Sequence, residues 1–160
     1  IDNKYQTLID SNFNIVSFQK DTYQPNVSNT IFTVKKNDSI FYNNSQINIP
    51  KNYFNIFSLL YYLSITNFEH IKSNVKIERE GLQYNCKIKK IKIKDLLYEY
   101  TLNFELIEKD RVPLFIHSDI FTWAIFKENA TRKIIVDSNL KKIVRCSFKN
   151  GWNKVEAYIK

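Results

Sequence analysis

Few side chains in this sequence are of the types that enzymes use, and none of them forms a known catalytic pattern. Neither of the two histidines, His70 and His117, has a partner at the spacing of a metal site. The run His117-Ser118-Asp119 contains the residue types of a catalytic triad. Adjacent residues of an extended chain point to opposite sides, however, so one tripeptide cannot assemble a triad. We therefore predict no catalytic residues at these positions.

The acidic residues and glycines lead to the same expectation. Glu78 with Glu80 and Glu108 with Asp110 are local carboxylate pairs, and each brackets a turn. Solvated charge is a simpler interpretation of such pairs than general acid–base catalysis. With only two glycines, the chain cannot form a glycine-rich phosphate loop. We interpret the protein as a non-enzyme with no cofactor and no metal site.

Two cysteines, Cys86 and Cys146, are too few for a disulfide framework. Each occupies an apolar position of an alternating segment, which favours buried free thiols. One cross-strand disulfide and a pair of metal ligands are the alternatives that the sequence leaves open.

A basic strand gives the sequence its strongest charge pattern. Lys87, Lys89 and Lys92 lie in a segment where lysine alternates with isoleucine, and the whole chain has a formal charge of +8. Such a face could hold single-stranded nucleic acid through its phosphates. Most of the basic residues are lysine, whereas base-specific readers rely on arginine. We expect a solvated face without specific affinity for nucleic acid, and keep single-strand binding as an alternative function.

The elements that would position these residues are mostly β-strands. Before residue 50 the sequence predicts four strands, with 23–29 as an irregular loop. After residue 74 it predicts seven more, with tight turns at Glu80-Gly81, Asp137-Ser138-Asn139 and Asn150-Gly151. The predicted strands are 4–9, 13–20, 30–36, 39–43, 75–80, 82–93, 98–108, 121–126, 133–136, 142–148 and 154–159.

One segment changes period. Apolar residues recur at spacings of three and four over residues 52–66, which predicts a helix with Asn52 as its N-cap. One helix among antiparallel strands indicates a single α+β domain over residues 1–160, mainly antiparallel β. Short connections favour pairing of sequential strands, so we expect a curved meander, a half-barrel or roll, covered by this helix.

The concave side of such a meander could hold an apolar ligand. We expect Phe57, Leu60 and Tyr61 of the helix to face the sheet and be mostly buried, and to meet Phe121 and Trp123 there. Aromatic residues in this place form a packed core more often than a pocket, although a half-barrel can leave a cavity.

The order of segments resembles an uncharacterised family of exported bacterial proteins, domain of unknown function 3108. The matching segments are 4–10, 55–63, 80–84, 122–126, 132–136 and 151–157. The resemblance implies a lipoprotein-carrier-like curved sheet in the periplasm or cell envelope, with no established catalytic residues. The sequence departs from the family in two places. The family's usual N-terminal strands are missing before Ile1, and the start of the helix carries Asn55 where the family usually has Asp.

These expectations lead to a functional prediction. We expect a soluble, non-catalytic cell-envelope module that binds an apolar or lipid-like ligand or another envelope protein. If strands precede Ile1 in the family, Lys4–Ile9 should lie at a sheet edge and pair with another chain by strand addition. The alternatives are that 4–9 lies between two strands of this chain, that the protein is a structural subunit of a larger assembly, and that it is an enzyme acting on envelope polymers.

The most apolar stretch, about 13 residues from Tyr53, is shorter than the roughly 20 that a membrane helix needs.

Overall fold

The computed structural model describes residues 2–37, 39–43, 45–47, 53–110, 112–114 and 119–158. Strands dominate these residues, and two α-helices and one 3₁₀ turn (Phe68–His70) interrupt them. The helices are α1 (Ile56–Ile65) and α2 (Ile120–Phe126). The strands are β1 (Lys4–Ile9), β2 (Ile15–Gln24), β3 (Val27–Lys36), β4 (Ser39–Tyr42), β5 (Ser45–Ile47), β6 (Tyr53–Phe54), β7 (Asn74–Arg79), β8 (Leu82–Lys94), β9 (Leu97–Leu106), β10 (Thr131–Asp137), β11 (Lys142–Asn150) and β12 (Asn153–Tyr158).

Two sheets contain these strands. The first has the order β1-β2-β3-β4-β5, and the second has the order β12-β11-β10-β9-β8-β7-β6. Neighbours in the sheets are also neighbours in sequence, so the prediction of sequential pairing is confirmed. The pairing of β6 with β7 is parallel, with Tyr53 opposite Lys76. The α+β class with mainly antiparallel strands is confirmed, whereas the curvature and the covering helix stay predictions.

The predicted loop at residues 23–29 is wrong. β2 continues to Gln24 and β3 begins at Val27, so only Pro25 and Asn26 form the connection. Proline fixes the first central position of a type II turn, and the second requires positive φ, which Asn26 adopts at 63°. The segment that looked irregular is therefore a tight hairpin.

The other predicted turns differ in detail. Glu80 and Gly81 join β7 to β8 and have φ of 49° and 88°, as a type I′ turn requires. At the C-terminal hairpin, Asn150 pairs with Asn153, so the two central residues are Gly151 and Trp152 rather than Asn150 and Gly151. Positive φ at Gly151 alone, 57°, is the pattern of a type II′ turn.

Helix α1 begins later than predicted, at Ile56, because Asn55 caps it. The Asn55 side-chain oxygen accepts a hydrogen bond from the Ser58 N–H at 2.8 Å. In return the Ser58 hydroxyl accepts one from the Asn55 N–H at 3.0 Å, which completes a capping box. The predicted cap, Asn52, lies outside the described residues. Tyr53 and Phe54, which the helical pattern included, form β6 instead.

The predicted strand at 121–126 is wrong, because this segment is helix α2. Its aromatic and β-branched residues favour a strand, but the buried Arg132 satisfies backbone carbonyls where the helix ends. The Arg132 guanidinium donates to the carbonyl oxygens of Ala130 and Lys127, both at 2.7 Å, and also to that of Ile125. This stabilisation comes from β10 and is invisible in the local pattern.

The chain groups into two compact units. The first comprises Ile1–Leu59, Lys76–Tyr84 and Leu106–Asp119, and the second comprises Leu60–Val75, Asn85–Glu105 and Ile120–Lys160. Ile31, Ile40, Tyr42 and Tyr53 form a buried cluster in the first unit. The single-domain expectation stays a prediction. No helix among the described residues is long and apolar enough to cross a membrane.

Candidate functional site

Strand β1 is the edge of the five-stranded sheet in the described part of the chain. It pairs with β2 in antiparallel register, with Gln6 opposite Gln19, and forms no other strand pair there. The expectation that 4–9 lies at a sheet edge is confirmed. The alternative position between two strands of this chain is wrong for the strands that the structure describes.

The register shows which backbone groups of β1 point outward. Residues of an antiparallel pair alternate between exchanging backbone hydrogen bonds and not exchanging them. The N–H of Asp2 bonds to the carbonyl of Tyr23, and that of Asp10 bonds to Asn14, both at 3.0 Å. Even-numbered residues therefore bond toward β2, and the N–H and C=O groups of Thr7 and Ile9 point away from it.

A cavity lies beside this edge. It has a volume of about 350 Å³, is partly open to solvent, and is lined by Lys4, Tyr5, Gln6, Gln19 and Asp21. The Gln19 amide donates to both carboxylate oxygens of Asp21, at 3.2 and 3.0 Å. The lining therefore offers a cation, an anion and amides to whatever enters.

The first unit also contains a buried charge cluster, which consists of Lys20, Glu80 and Asp119. Lys20 of β2 lies with its ammonium 2.5 Å from Glu80 Oε1 and 3.1 Å from Asp119 Oδ2. The three side chains are 1%, 5% and 0% exposed. Charged groups are almost never buried to this degree without partners, so each depends on the others.

Tyr5 connects β1 to this cluster. Its hydroxyl donates a 2.6 Å hydrogen bond to Asp119 Oδ1, and its ring lies 4.6 Å from that of Phe57. Burial, followed by the Asp119 carboxylate, raises the pKa of Tyr5 above its ordinary value, so the hydroxyl keeps its proton. Phe57 also stacks on Phe18 at 5.7 Å, which makes this side of the cluster apolar.

A third buried carboxylate, Glu78, lies on β7. Glu78 accepts hydrogen bonds from the Tyr42 hydroxyl at both oxygens, at 2.6 Å for Oε2. Burial raises the pKa of Glu78 to about 7, although the bonds from Tyr42 and from the Gly81 N–H oppose the shift. This carboxyl therefore holds its proton more tightly than an exposed glutamate does.

The β7–β8 turn positions Glu80. Its positive φ is uncommon for a residue other than glycine and costs conformational energy. The Glu80 N–H donates to the Tyr42 hydroxyl at 3.1 Å, and its carbonyl accepts from the Leu114 N–H at 3.0 Å. These bonds fix the turn with the carboxylate directed into the protein toward Lys20.

The cluster has the parts of acid–base and acyl-transfer chemistry. Lys20 is an amine, Asp119 is a carboxyl group, Glu80 can carry protons, and Tyr5 is a neutral donor. Lys20, Glu80 and Asp119 are enclosed by the protein, whereas Tyr5 is partly exposed.

The residues expected to line a ligand pocket are not all buried. Tyr61 and Trp123 are 50% and 47% exposed, so the expectation of a buried Tyr61 is wrong. Phe57, Leu60 and Phe121 are partly exposed. The buried stripe of α1 is rotated by one residue from the predicted one and consists of Ile56, Leu59, Tyr62 and Leu63.

Three of these residues have ring contacts with different neighbours. Phe57 packs with Tyr5 and Phe18 in the first unit. In the second unit Phe121 meets the edge of Phe148 at 6.0 Å, and the Lys127 ammonium lies 4.5 Å from the Trp123 ring.

The predicted lysines and cysteines lie on β8 and β11. Lys87, Lys89 and Lys92 of β8 are exposed, as expected. Cys86 and Cys146 are buried free thiols, which selects the first of the three interpretations of the sequence. Among the described residues, no group of three metal-binding side chains could hold a metal ion.

Sequence reasoning missed the charge cluster. Lys20 stands in no motif, and Asp119 was considered only within the run His117-Ser118-Asp119, which cannot form a triad. The interpretation of Glu78 and Glu80 as solvated charge is wrong, because both are buried. One signal was available in the sequence. In the alternating pattern of β2, Lys20 lies on the same face of the strand as Phe18, which is the buried face. His117 and Ser118 lie outside the described residues.

No family model, curated protein or solved structure matches the chain. The resemblance to domain of unknown function 3108 therefore stays a prediction.

Proposed function

We propose that the protein is a non-catalytic binding module of the bacterial cell envelope that receives an extended segment of another protein along β1. The observation that carries the proposal is the edge position of β1. Thr7 and Ile9 direct backbone donors and acceptors away from β2. Such groups are a template for strand addition, in which main-chain hydrogen bonds supply affinity.

The cavity supplies selectivity in this proposal. Side-chain pockets beside an added strand determine which sequence binds. Since Lys4, Gln6, Gln19 and Asp21 line the cavity, the favoured segment carries a polar side chain that reaches these groups. An apolar or lipid-like ligand, the other occupant expected from the sequence, has less support from this lining. The envelope location rests on the family resemblance.

The test removes one outward N–H. Thr7→Pro deletes the N–H that an added strand would use and leaves the bonds between β1 and β2 in place. Thr7→Val is the matched control, because it also loses the hydroxyl that accepts from Asn55 but keeps the N–H. Peptides selected from a random library on the wild-type chain should bind wild type and Thr7→Val and lose at least tenfold in affinity for Thr7→Pro, about 1.4 kcal/mol.

Hydrogen exchange locates the binding. In the dilute monomer the amides of Thr7 and Ile9 should exchange fast, and a bound peptide should slow them. Full protection of both amides in the monomer would contradict the proposal. Equal peptide affinity for the proline and valine variants would also contradict it.

A further inference from the structure

The buried charge cluster has more contacts than an ordinary ion pair. It consists of Lys20, Glu80 and Asp119. Two carboxylates contact one ammonium, all three groups are at least 95% buried, and Tyr5 donates to the second oxygen of Asp119. Burying such ions is costly, and their mutual attraction often does not repay it. A reaction between Lys20 and Asp119 would remove two of the three buried charges.

We propose that Lys20 and Asp119 condense to form an intramolecular isopeptide bond, with Glu80 as the proton carrier. Nζ lies 3.1 Å from Asp119 Oδ2, so the amine is held beside the carboxyl group whose Cγ it would attack. Fixing an amine and a carboxyl group side by side gives an effective concentration far above any reached in solution. The cross-link joins Lys20 of β2 to Asp119, the residue before α2.

The step balances without a co-reactant. One proton moves from the Lys20 ammonium to Asp119 Oδ2, which leaves a neutral amine and a carboxylic acid. The nitrogen lone pair then attacks Cγ of Asp119, and the Nζ–Cγ bond forms. A second proton passes from Nζ through Glu80 to Oδ2, the Cγ–Oδ2 bond breaks, and one water leaves. Glu80 returns to its starting state.

Each neighbour has a role in this step. Glu80 Oε1, 2.5 Å from Nζ, is within reach of the proton that it carries. The Tyr5 hydroxyl, 2.6 Å from Oδ1, donates to the oxygen on which negative charge develops. Exclusion of solvent disfavours the reverse reaction, because hydrolysis needs a water at Cγ.

Mass spectrometry of the full-length folded chain, denatured for the measurement, tests the proposal. The intact mass should be lower than the sequence mass by about 18 Da, the mass of one water. Trypsin should fail to cut after Lys20, and the digest should contain one branched peptide that joins Lys20 to Asp119. A chain that keeps the full sequence mass after days in the folded state would overturn the proposal.

The variants assign the roles. Lys20→Met and Asp119→Ala should restore the full mass expected for each variant. Glu80→Gln keeps both bonding atoms and should slow bond formation at least 100-fold. Glu78→Gln, which changes a buried carboxyl that contacts neither atom of the bond, should still lose one water.

Two outcomes besides an unchanged mass overturn the proposal. Cyclisation of an aspartate onto its own backbone also removes one water, so a mass loss without the branched peptide would assign the loss to that reaction. Equal rates in wild type and Glu80→Gln would remove Glu80 from the mechanism. The wild-type mass and digest decide whether the bond exists, so the proposal can be refuted even if a variant fails to fold.

Discussion

The interiors of the two units are built from different chemistry. In the first unit Lys20, Glu78, Glu80 and Asp119 are all buried. The second unit buries mainly apolar side chains, among them Leu102, Ile134 and Val136, and Arg132 bonds to backbone carbonyls. Its Lys133–Glu99 pair, 2.9 Å apart, has a lysine side chain that is 47% exposed.

The two kinds of interior contribute differently to the free energy of unfolding. An apolar core gains free energy in proportion to the area it buries. A buried charge cluster is weak evidence for stability, yet it is strongly destabilised when one partner is removed. The first unit should therefore be the more sensitive of the two to a single charge change and to pH.

The largest expected effect follows from removing the buried cation. Lys20→Met should lower the free energy of unfolding by about 3–5 kcal/mol, because Glu80 and Asp119 are left buried without it. In a chain that carries the proposed isopeptide bond, loss of the bond takes the place of loss of the cation as the cause. Chemical denaturation measures the change.

The matched control is the lysine of the exposed pair. Lys133→Met should change the free energy of unfolding by only about 0.2–1 kcal/mol, since solvent screens that pair. Similar losses for the two variants would refute the contrast between the interiors.

A smaller effect concerns pH. The pKa of Glu78 in the folded chain, about 7, is above its ordinary value of 4.5, so the folded state binds this proton more tightly than the unfolded state. The stabilisation is complete below the unfolded pKa and is lost as pH rises through the folded pKa. The free energy of unfolding should fall by up to about 3 kcal/mol between about pH 5 and about pH 8.

Glu78→Gln isolates this contribution. The variant keeps an oxygen that can accept from Tyr42, and all other titrating groups are unchanged. The difference in slope between wild type and variant, measured by urea denaturation at several pH values, therefore reports Glu78. Parallel curves would show that the carboxyl titrates normally, and would remove Glu78 as a source of pH sensitivity in the first unit.

Much of the fold could be predicted from the sequence, because strands and hairpin turns have local signatures. Lys4–Ile9 is the clearest case, since its bounds and its edge position are confirmed. Several elements were not predicted, and β5 and β6 are among them. The tight turn at Pro25-Asn26 was hidden in a polar stretch, and helix α2 depends on Arg132, which lies outside the helix.

The candidate site was only partly predictable. An edge strand follows from the order of elements, whereas a charge cluster depends on tertiary contacts among three distant segments. Glu80 illustrates the reason, because its turn was identified correctly but the direction of its side chain was not. A carboxylate at a turn is usually solvated, and only the register of β2 brings Lys20 to meet it.

The smallest expected effect concerns the lysines that the second unit leaves in solvent. Replacing Lys87, Lys89 and Lys92 together by glutamine should change the free energy of unfolding by less than about 0.5 kcal/mol, because these side chains are exposed. The wild-type chain should bind labelled single-stranded DNA weakly at low salt and lose the binding at physiological salt, as simple charge attraction does. Chemical denaturation measures the first effect and fluorescence anisotropy the second. Tight binding by wild type at physiological salt, together with its loss in the triple variant, would show that β8 carries a nucleic-acid site. The three lysines would then be functional as well as solvated.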